Sequence, residues 1–210
     1  IYVNDERKTQ TSPYTFVVTE NNTSFSAYSM DYAGKKSEVS NITISNIDKT
    51  APAAPASITL GTTEWSKENV SVTMPALPAT SGAPERYVYQ VNAGDWANLP
   101  DGFQLSDNGV QNISVAVEDA AGNRSSAVSA TARIDKLPPN IGTASQTVGS
   151  GTAVVNVTAT DEGPSGIQSF RYAAGEHDAA YFTTDGNDIS GGTFTVHVGG
   201  TYTIYAADKA

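Results

Sequence analysis

The sequence has no cysteine among its 210 residues, so neither a disulfide framework nor a thiolate metal site can form. No run of about 18 or more apolar residues occurs, which predicts no direct insertion into a membrane. His177 and His197 are the only histidines, and neither stands at a spacing that suggests a catalytic partner. We therefore expect no catalytic residues and no enzyme activity.

Positive charge is also scarce. Lysine and arginine number 12 against 22 acidic residues, which gives a formal net charge of −10 and a pI near 4.5. Because nucleic-acid binding depends mainly on basic side chains that neutralise phosphates, this composition argues against a nucleic-acid partner. Acidic membrane surfaces are disfavoured for the same reason.

What the sequence does contain is an internal repeat. The motif Asp31-Tyr-Ala-Gly returns as Asp119-Ala-Ala-Gly, and a third copy begins at Asp208. These aspartates lie 88 and 89 residues apart, which indicates a tandem array of similar units. Because the first residue already lies inside a repeat, we expect the chain to be an excerpt from a longer protein.

Apolar and polar residues alternate along most segments, as in 70–74 and 113–117. A period of two places one side of each strand inward and the other in water. Glycine, proline, asparagine and aspartate separate these short segments, and no stretch has helical spacing. The pattern predicts an all-β protein built from β-sandwiches.

The strands can be placed repeat by repeat. In the middle repeat we predict strands near 56–60, 69–74, 85–92, 102–106, 111–118 and 127–134. In the third repeat we predict strands near 141–147, 152–160, 167–173, 180–183, 192–198 and 200–207. The first repeat supplies only the later strands, from 1–3 through 42–47.

Proline clusters at 49–55 and 136–139 mark the predicted boundaries between repeats. Because proline fixes φ and biases the preceding residue toward extended conformations, these joints should be short and stiff. The resulting division is a partial domain over 1–49, a complete domain over 50–136, and a domain without its last strand over 137–210. Stiff joints between such domains predict a rod.

The segment from Asp119-Ala-Ala-Gly-Asn through Ile134-Asp-Lys-Leu-Pro-Pro resembles the bacterial immunoglobulin-like repeats of large surface proteins. Those repeats typically close with an aspartate, a small residue, Ala-Gly-Asn and a strand that ends in Asp-x-x-x-Pro. Further matching segments are Glu64-Trp65, Gly94-Asp95-Trp96 and 161–167. The resemblance covers essentially the whole chain. It implies tandem immunoglobulin-like β-sandwich domains, with the first and last units incomplete.

The same resemblance implies a stalk, spacer or adhesive segment that is extracellular and at the cell surface. Two departures from the family pattern matter. Lys35 stands where the pattern prefers asparagine, and Leu77-Pro78 replace the acidic pair Asp161-Glu162. Any role of those acids is therefore not shared by all copies.

Two interpretations remain open for the acidic residues at the turns and joints. A turn aspartate can accept hydrogen bonds from backbone N–H groups two residues on, which by itself fixes the turn. The alternative is calcium, which takes about six to eight oxygen ligands and would gather them where repeats meet. The residues of this calcium hypothesis are Asp31, Asp48, Asp119, Asn123, Asp135, Asp161 and Asp208. We expect no other cofactor.

Trp96 is the candidate for ligand binding, because it follows Gly94 and Asp95 in a predicted turn. An exposed aromatic ring there would offer a flat surface to a sugar ring. The competing interpretation is packing, since sandwiches commonly bury an aromatic side chain from a central strand.

Together these features predict a structural spacer whose partners are neighbouring immunoglobulin-like repeats of the same or an adjacent chain. Two alternatives remain open. One is an adhesive module that binds a glycan or a surface protein. The other is a subunit of a self-assembling fibre or surface layer, in which strands from neighbours complete the open sheets.

Overall fold

A computed structural model describes residues 1–9, 11–77 and 85–210 of the chain. Within those residues it contains twenty β-strands and a single turn of 3₁₀-helix, so the predicted all-β class is confirmed. None of those residues belongs to a helix long and apolar enough to cross a membrane. The chain packs as two compact units. One holds Ile1–Pro52 with Glu118–Ser125, and the other holds most of the remaining residues.

The first unit contains a four-stranded antiparallel sheet. Its strands are β1 (Tyr2–Val3), β2 (Glu6–Arg7), β3 (Thr23–Tyr28) and β4 (Ser40–Ile44), in the order β2-β1-β3-β4. Asn4 and Asp5 form the turn between β1 and β2 with φ of 48° and 63°, a region that these residue types tolerate well. The Tyr2 ring stacks on Tyr28 with centroids 5.0 Å apart, which ties β1 to β3.

The second unit begins with two facing sheets, which we call the middle sandwich. Its strands are β5 (Thr59–Leu60), β6 (Trp65–Ser66), β7 (Val70–Thr73), β8 (Arg86–Val91), β9 (Ala97–Asn98), β10 (Gln104–Leu105), β11 (Gly109–Glu118) and β12 (Val128–Ile134). One sheet has the order β10-β7-β5 and the other the order β6-β12-β11-β8-β9. This is the arrangement of an immunoglobulin-like sandwich. All six predicted strands are present, whereas the two-residue strands β6 and β9 were not predicted.

The core of the middle sandwich follows from the alternation in sequence. Val70 and Val72 of β7 face Ile113 and Val115 of β11, and all four side chains are at least nine-tenths buried. The intervening Ser114 points outward and its hydroxyl bonds that of Ser129 on β12 at 2.9 Å. Burying one such aliphatic side chain contributes about 1.5 to 3 kcal/mol, so this cluster is a main source of stability.

The C-terminal sandwich occupies the rest of the second unit. Its strands are β13 (Asn140–Ile141), β14 (Ser145–Val148), β15 (Ala153–Asn156), β16 (Ala159–Thr160), β17 (Ile167–Ala174), β18 (Asn187–Asp188), β19 (Thr193–Val196) and β20 (Tyr202–Asp208). They form sheets in the orders β14-β15-β19, β18-β17-β20 and β13-β16. Its core is separate from that of the middle sandwich and centres on Val157, Ile189 and Phe194.

Three strand predictions in this region were wrong in detail. The predicted strands 141–147 and 152–160 are each divided in two, because β13 pairs with β16 while β14 pairs with β15. The predicted strand 180–183 is the 3₁₀ turn Tyr181–Thr183, and the strand that pairs with β17 is β18. Asp178 supports the turn, since its Oδ1 accepts the Tyr181 N–H at 3.2 Å.

Both proline clusters lack helical backbone, as expected of extended joints. The middle and C-terminal sandwiches meet at the second cluster, and each has its own hydrophobic core. The division into domains over 1–49, 50–136 and 137–210 stays a prediction.

Candidate metal centre at Asp135

Asp135 directly follows β12, the last strand of the middle sandwich. Its backbone N–H donates to the Ser66 carbonyl at 2.9 Å, which extends the parallel pairing of β12 with β6 by one residue. Asp135 is only 1 % exposed. The strand therefore delivers a carboxylate into the joint with the C-terminal sandwich and removes it from water.

Backbone N–H groups on both sides of this joint hold the Asp135 carboxylate. Leu137 N donates to Oδ1 at 3.1 Å, and Ser165 N donates to Oδ2 at 2.9 Å. Gly163 approaches so closely that a Cβ atom there would lie 2.0 Å from Oδ1. Only glycine fits at this position without a shift of the loop or of the carboxylate.

Asp161 organises the loop that approaches Asp135. Its Oδ1 accepts the Gly163 N–H at 2.9 Å, and its Oδ2 accepts the Gly166 N–H at 2.6 Å. Gly166 has a φ of +76°, which allows the chain to turn back sharply toward β17. The loop is thus shaped by two carboxylates at once, one from each sandwich.

Asp208 lies at the end of β20, opposite Ile167 in the register with β17. This position brings it beside the same loop, and one carboxylate oxygen from each of Asp135, Asp161 and Asp208 lies within 4.8 Å of the others. Within residues 1–9, 11–77 and 85–210, this is the one group of three His, Cys, Asp or Glu side chains that converge so closely. All three residues were in the predicted calcium set.

The cluster carries three formal negative charges. No Lys or Arg of the described chain forms an ion pair with any of them. Burial raises the pKa of Asp135, but hydrogen bonds from the Ser165 side chain and backbone and from Leu137 N outweigh it, so the pKa is lowered overall. The buried carboxylate is therefore held in the ionised form that a metal ligand requires.

The donor set decides which ion would fit. The cluster offers carboxylate oxygens alone, without nitrogen or sulfur, and hard cations such as Ca²⁺ prefer oxygen. Three carboxylates supply three to six of the about six to eight oxygens that Ca²⁺ takes, and the remainder would be carbonyl or water oxygens. The arrangement is therefore chemically suited to calcium and unsuited to a soft metal.

The other predicted turn aspartates form hydrogen-bonded turns. Asp31 Oδ1 accepts the N–H groups of Ala33 and Lys35 at 2.9 and 2.8 Å. Asp119 Oδ1 accepts those of Ala121 and Asn123 at the same two distances. The predicted turn hydrogen bonds are therefore present in both repeats with matching distances, and calcium binding at these residues stays a prediction.

Asn123 joins Asp48 to Asp119 within the first unit. Its Nδ2 donates to the Asp48 carbonyl at 3.1 Å and to Asp119 Oδ2 at 3.0 Å. The Asn123 side chain is the largest cause of a lowered pKa at Asp119, with further contributions from backbone N–H groups against the opposing effect of burial. These three members of the calcium set are thus brought together by an amide donor.

Trp96 is half-buried, just before β9, and a ligand role for it stays a prediction. Glu162 is exposed and is not part of the acidic cluster. Leu77 is the last described residue before the gap, and Pro78 lies outside the described residues.

Sequence reasoning gave no role to Gly163 or Ser165, although both contact Asp135. The available signal was the spacing Asp161-x-Gly-x-Ser-Gly, in which one carboxylate can bond several nearby N–H groups. That spacing indicates a tight loop, but it does not reveal that an acid from 26 residues earlier, Asp135, enters the loop.

Comparisons with known proteins find similarity among solved structures. No protein-family model matches the chain. No curated protein matches it either. Among solved structures, it is similar to the crystal structure of the chicken CNTN1 FN1–FN3 domains, with 14 % sequence identity and a TM-score of 0.26. That match covers 90 % of this chain and 68 % of the other.

Proposed function

We propose that this chain is a structural spacer segment of a large extracellular protein at the cell surface, built as a stiff rod of immunoglobulin-like repeats. The observation that carries the proposal is the joint at 135–139, which is hydrogen-bonded to the sandwich on either side. A spacer holds the segments at its two ends at a fixed distance, which requires joints that resist bending. Neighbouring repeats of the same or an adjacent chain are its partners.

Lys136 attaches this joint to the middle sandwich. Its N–H donates to Asn108 Oδ1 at 3.0 Å, and its Nζ donates to Asn69 Oδ1 and to the Ser106 carbonyl at 2.7 Å each. Because these groups are exposed, each bond contributes at the low end of the usual range, about 0.5 kcal/mol. Together they restrict the orientation of the chain as it leaves β12.

Asp135 attaches the same joint to the C-terminal sandwich through Ser165 N. Asp135 is therefore bonded to the C-terminal sandwich and Lys136 to the middle sandwich, and Pro138 and Pro139 restrict φ immediately afterwards.

The length of each sandwich follows from the length of its strands. The 10 residues of β11, at about 3.3 Å each, span roughly 33 Å.

Solution scattering tests the spacer proposal. We expect small-angle X-ray scattering of the full chain to show an extended particle with a narrow range of maximum dimensions. Lys136→Ala should broaden that range, because the joint loses its bonds to Asn69 and Ser106, whereas Lys67→Ala should not. A wild-type chain as variable in dimension as the Lys136 variant would contradict the proposal.

The cluster of Asp135, Asp161 and Asp208 suggests that this joint is further stiffened by Ca²⁺. A bound ion would neutralise buried charge and connect oxygens from both sandwiches. Ca²⁺ at about 100 times its Kd would stabilise the fold by about 2.7 kcal/mol. Thermal melting with chelator and with Ca²⁺ measures this directly.

We expect Asp161→Asn to abolish the Ca²⁺-dependent rise in Tm, and Asp101→Asn, an exposed acid in a loop of the middle sandwich, to preserve it. Equal Tm values for the wild-type chain with Ca²⁺ and with chelator would refute the calcium part of the proposal. The spacer part would survive that result if the scattering remained narrow.

A self-assembling fibre is the alternative, with the edges of the sheets as its contacts. In the described residues, β14 and β18 each pair with a strand on one side only. An open strand edge is a template for a strand from another chain. Static light scattering distinguishes the two functions, since a chain that stays monomeric as its concentration rises is a spacer and not a fibre subunit.

A further inference from the structure

An open cleft lies in the middle sandwich where β8 and β9 of one sheet stand apart from β10 of the other. Its volume is about 360 Å³, which falls within the usual range for small-ligand sites of about 300 to 1,000 Å³. Tyr89 and Phe103 line it, with ring centroids 4.3 Å apart. The cleft therefore has an aromatic wall that is only partly covered by protein.

Gln111 supplies the polar base of this cleft. The residue is 3 % exposed, and its Nε2 donates to the Asp107 carbonyl. That bond fixes the amide orientation and leaves Oε1 as an acceptor to which no residue of the described chain donates. Oε1 is not a buried, unpartnered atom in the described residues, so it is open to the cleft and can accept a hydrogen from a ligand hydroxyl.

The rim carries acceptors as well. The exposed side chains of Asp95 and Asp107 line the cleft, and neither forms an ion pair with a residue of the described chain. A suitable ligand must combine several O–H donors with an apolar face for the aromatic wall. The ring of a sugar has both properties, since its hydroxyls donate outward while its C–H groups form a flat apolar surface.

We propose that this cleft binds a single neutral sugar residue, with Gln111 Oε1 accepting a hydroxyl hydrogen and the Tyr89–Phe103 wall packing against the ring. The site lies apart from Trp96, which does not line the cleft. It goes beyond the spacer function and does not depend on calcium. A spacer with such a site would also hold a glycan at a defined position along its length.

The site belongs to the middle sandwich alone. Gln111 stands eight residues before the turn aspartate Asp119, and the residues eight before Asp208 and Asp31 are Gly200 and Thr23. Neither glycine nor threonine offers an amide oxygen. Among the three repeats, only the middle one therefore has a side-chain amide at this position.

The test is nuclear magnetic resonance of the full chain, titrated with neutral methyl glycosides of glucose, galactose, mannose and N-acetylglucosamine. A sugar of about a dozen heavy atoms at ordinary ligand efficiency binds with a Kd of about 1 mM. We expect at least one glycoside to shift the Gln111 side-chain amide resonances and the Phe103 ring resonances. Gln111→Met should weaken binding about tenfold, the effect of losing one hydrogen bond to the ligand.

Two further variants keep the result decisive if Gln111→Met fails to fold. Asp107→Asn, on the exposed rim, should weaken binding severalfold, and Glu64→Gln, an exposed acid outside the cleft, should leave it unchanged. No shift at about 50 mM of any glycoside, well above the expected Kd, would overturn the proposal. A shift with 1,5-diaminopentane but with none of the sugars would overturn it too, because the cleft would then be a cation site.

Discussion

The segments that follow the last strand of the first unit and of the middle sandwich have nearly the same sequence but different surroundings. In Ile47-Asp48-Lys49 the aspartate is exposed, and its carboxylate accepts the Thr50 N–H at 2.9 Å. In Ile134-Asp135-Lys136 the corresponding aspartate is 1 % exposed and bonds to the next sandwich. The local turn bond is common to both, whereas burial and the bond from Ser165 N are found at Asp135.

The lysines differ in the same way. Lys49 Nζ forms an exposed ion pair with Glu20 at 3.1 Å, an interaction worth about 0 to 1 kcal/mol. Lys136 Nζ instead donates to an amide oxygen and a carbonyl at 2.7 Å. The Ile-Asp-Lys motif therefore forms an exposed turn at 47–49, whereas at 134–136 it bonds to the sandwiches on both sides of the joint.

Gly163→Ala should have the largest effect on this difference. The new Cβ would lie 2.0 Å from Asp135 Oδ1, so the loop must move away from the carboxylate. We expect a loss of about 3 kcal/mol, the upper end for overpacking a close contact. Chemical denaturation measures it, with Gly199→Ala as the control because a Cβ there meets nothing within 4 Å. Equal effects of the two variants would show that the close packing at Asp135 is unimportant.

Asp135→Asn and Asp48→Asn compare the two joints directly. Burial raises the pKa of Asp135, but hydrogen bonds from Ser165 and Leu137 lower it overall, so its surroundings favour the charged form. An asparagine there would direct an N–H group at a backbone N–H donor, and we expect a loss of about 1 to 2 kcal/mol in chelator. Asp48→Asn, at an exposed site, should change the free energy of unfolding by less than about 0.5 kcal/mol. The comparison fails if both variants lose the same stability.

Asn123→Ala should have a smaller effect, confined to the first unit. It removes the bonds from Nδ2 to the Asp48 carbonyl and to Asp119 Oδ2. We expect Tm to fall by about 2 to 4 °C in calorimetry. Asn41→Ala, in the exposed face of β4, is the matched control. An unchanged Tm would mean that the amide is replaced by water without cost.

The smallest expected effect is on acid stability. The pKa of Asp119 is lowered, first by the Asn123 side chain, so its ionised form is favoured in the folded state. This contribution is present above the pKa of the unfolded chain and is lost as pH falls through the lower, folded value. Asn123→Ala should raise the pKa of Asp119 toward its ordinary range, as followed by carboxyl resonances during acid titration. A pKa that does not move would assign the effect to the backbone N–H groups.

Local regularities predicted much of the fold. The alternation around Val70 and Ile113 places both residues in the core, because a strand's side chains point to opposite faces in turn. The pattern failed at Tyr181, where aromatic residues favoured a strand but Asp178 supports a helical turn. A propensity summed over a few residues does not detect one such side-chain bond.

The candidate metal site was predictable only in part. The sequence predicted Asp135, Asp161 and Asp208 as candidate oxygen ligands, together with four further residues. The converging three were not distinguished from Asp31 or Asp48, since all follow similar local patterns. Gln111 gave no signal at all, because a glutamine in an alternating strand is ordinary until the second sheet shows what lies opposite.

The sequence by itself determined the repeat, the all-β class and the turn at each aspartate, because these depend on residues within a few positions of one another. The tertiary structure alone decided which carboxylates meet, since Asp135, Asp161 and Asp208 are brought within 4.8 Å by the packing of two sandwiches. Burial and convergence are properties of chain segments far apart in sequence. Short-range patterns carry no information about such distances.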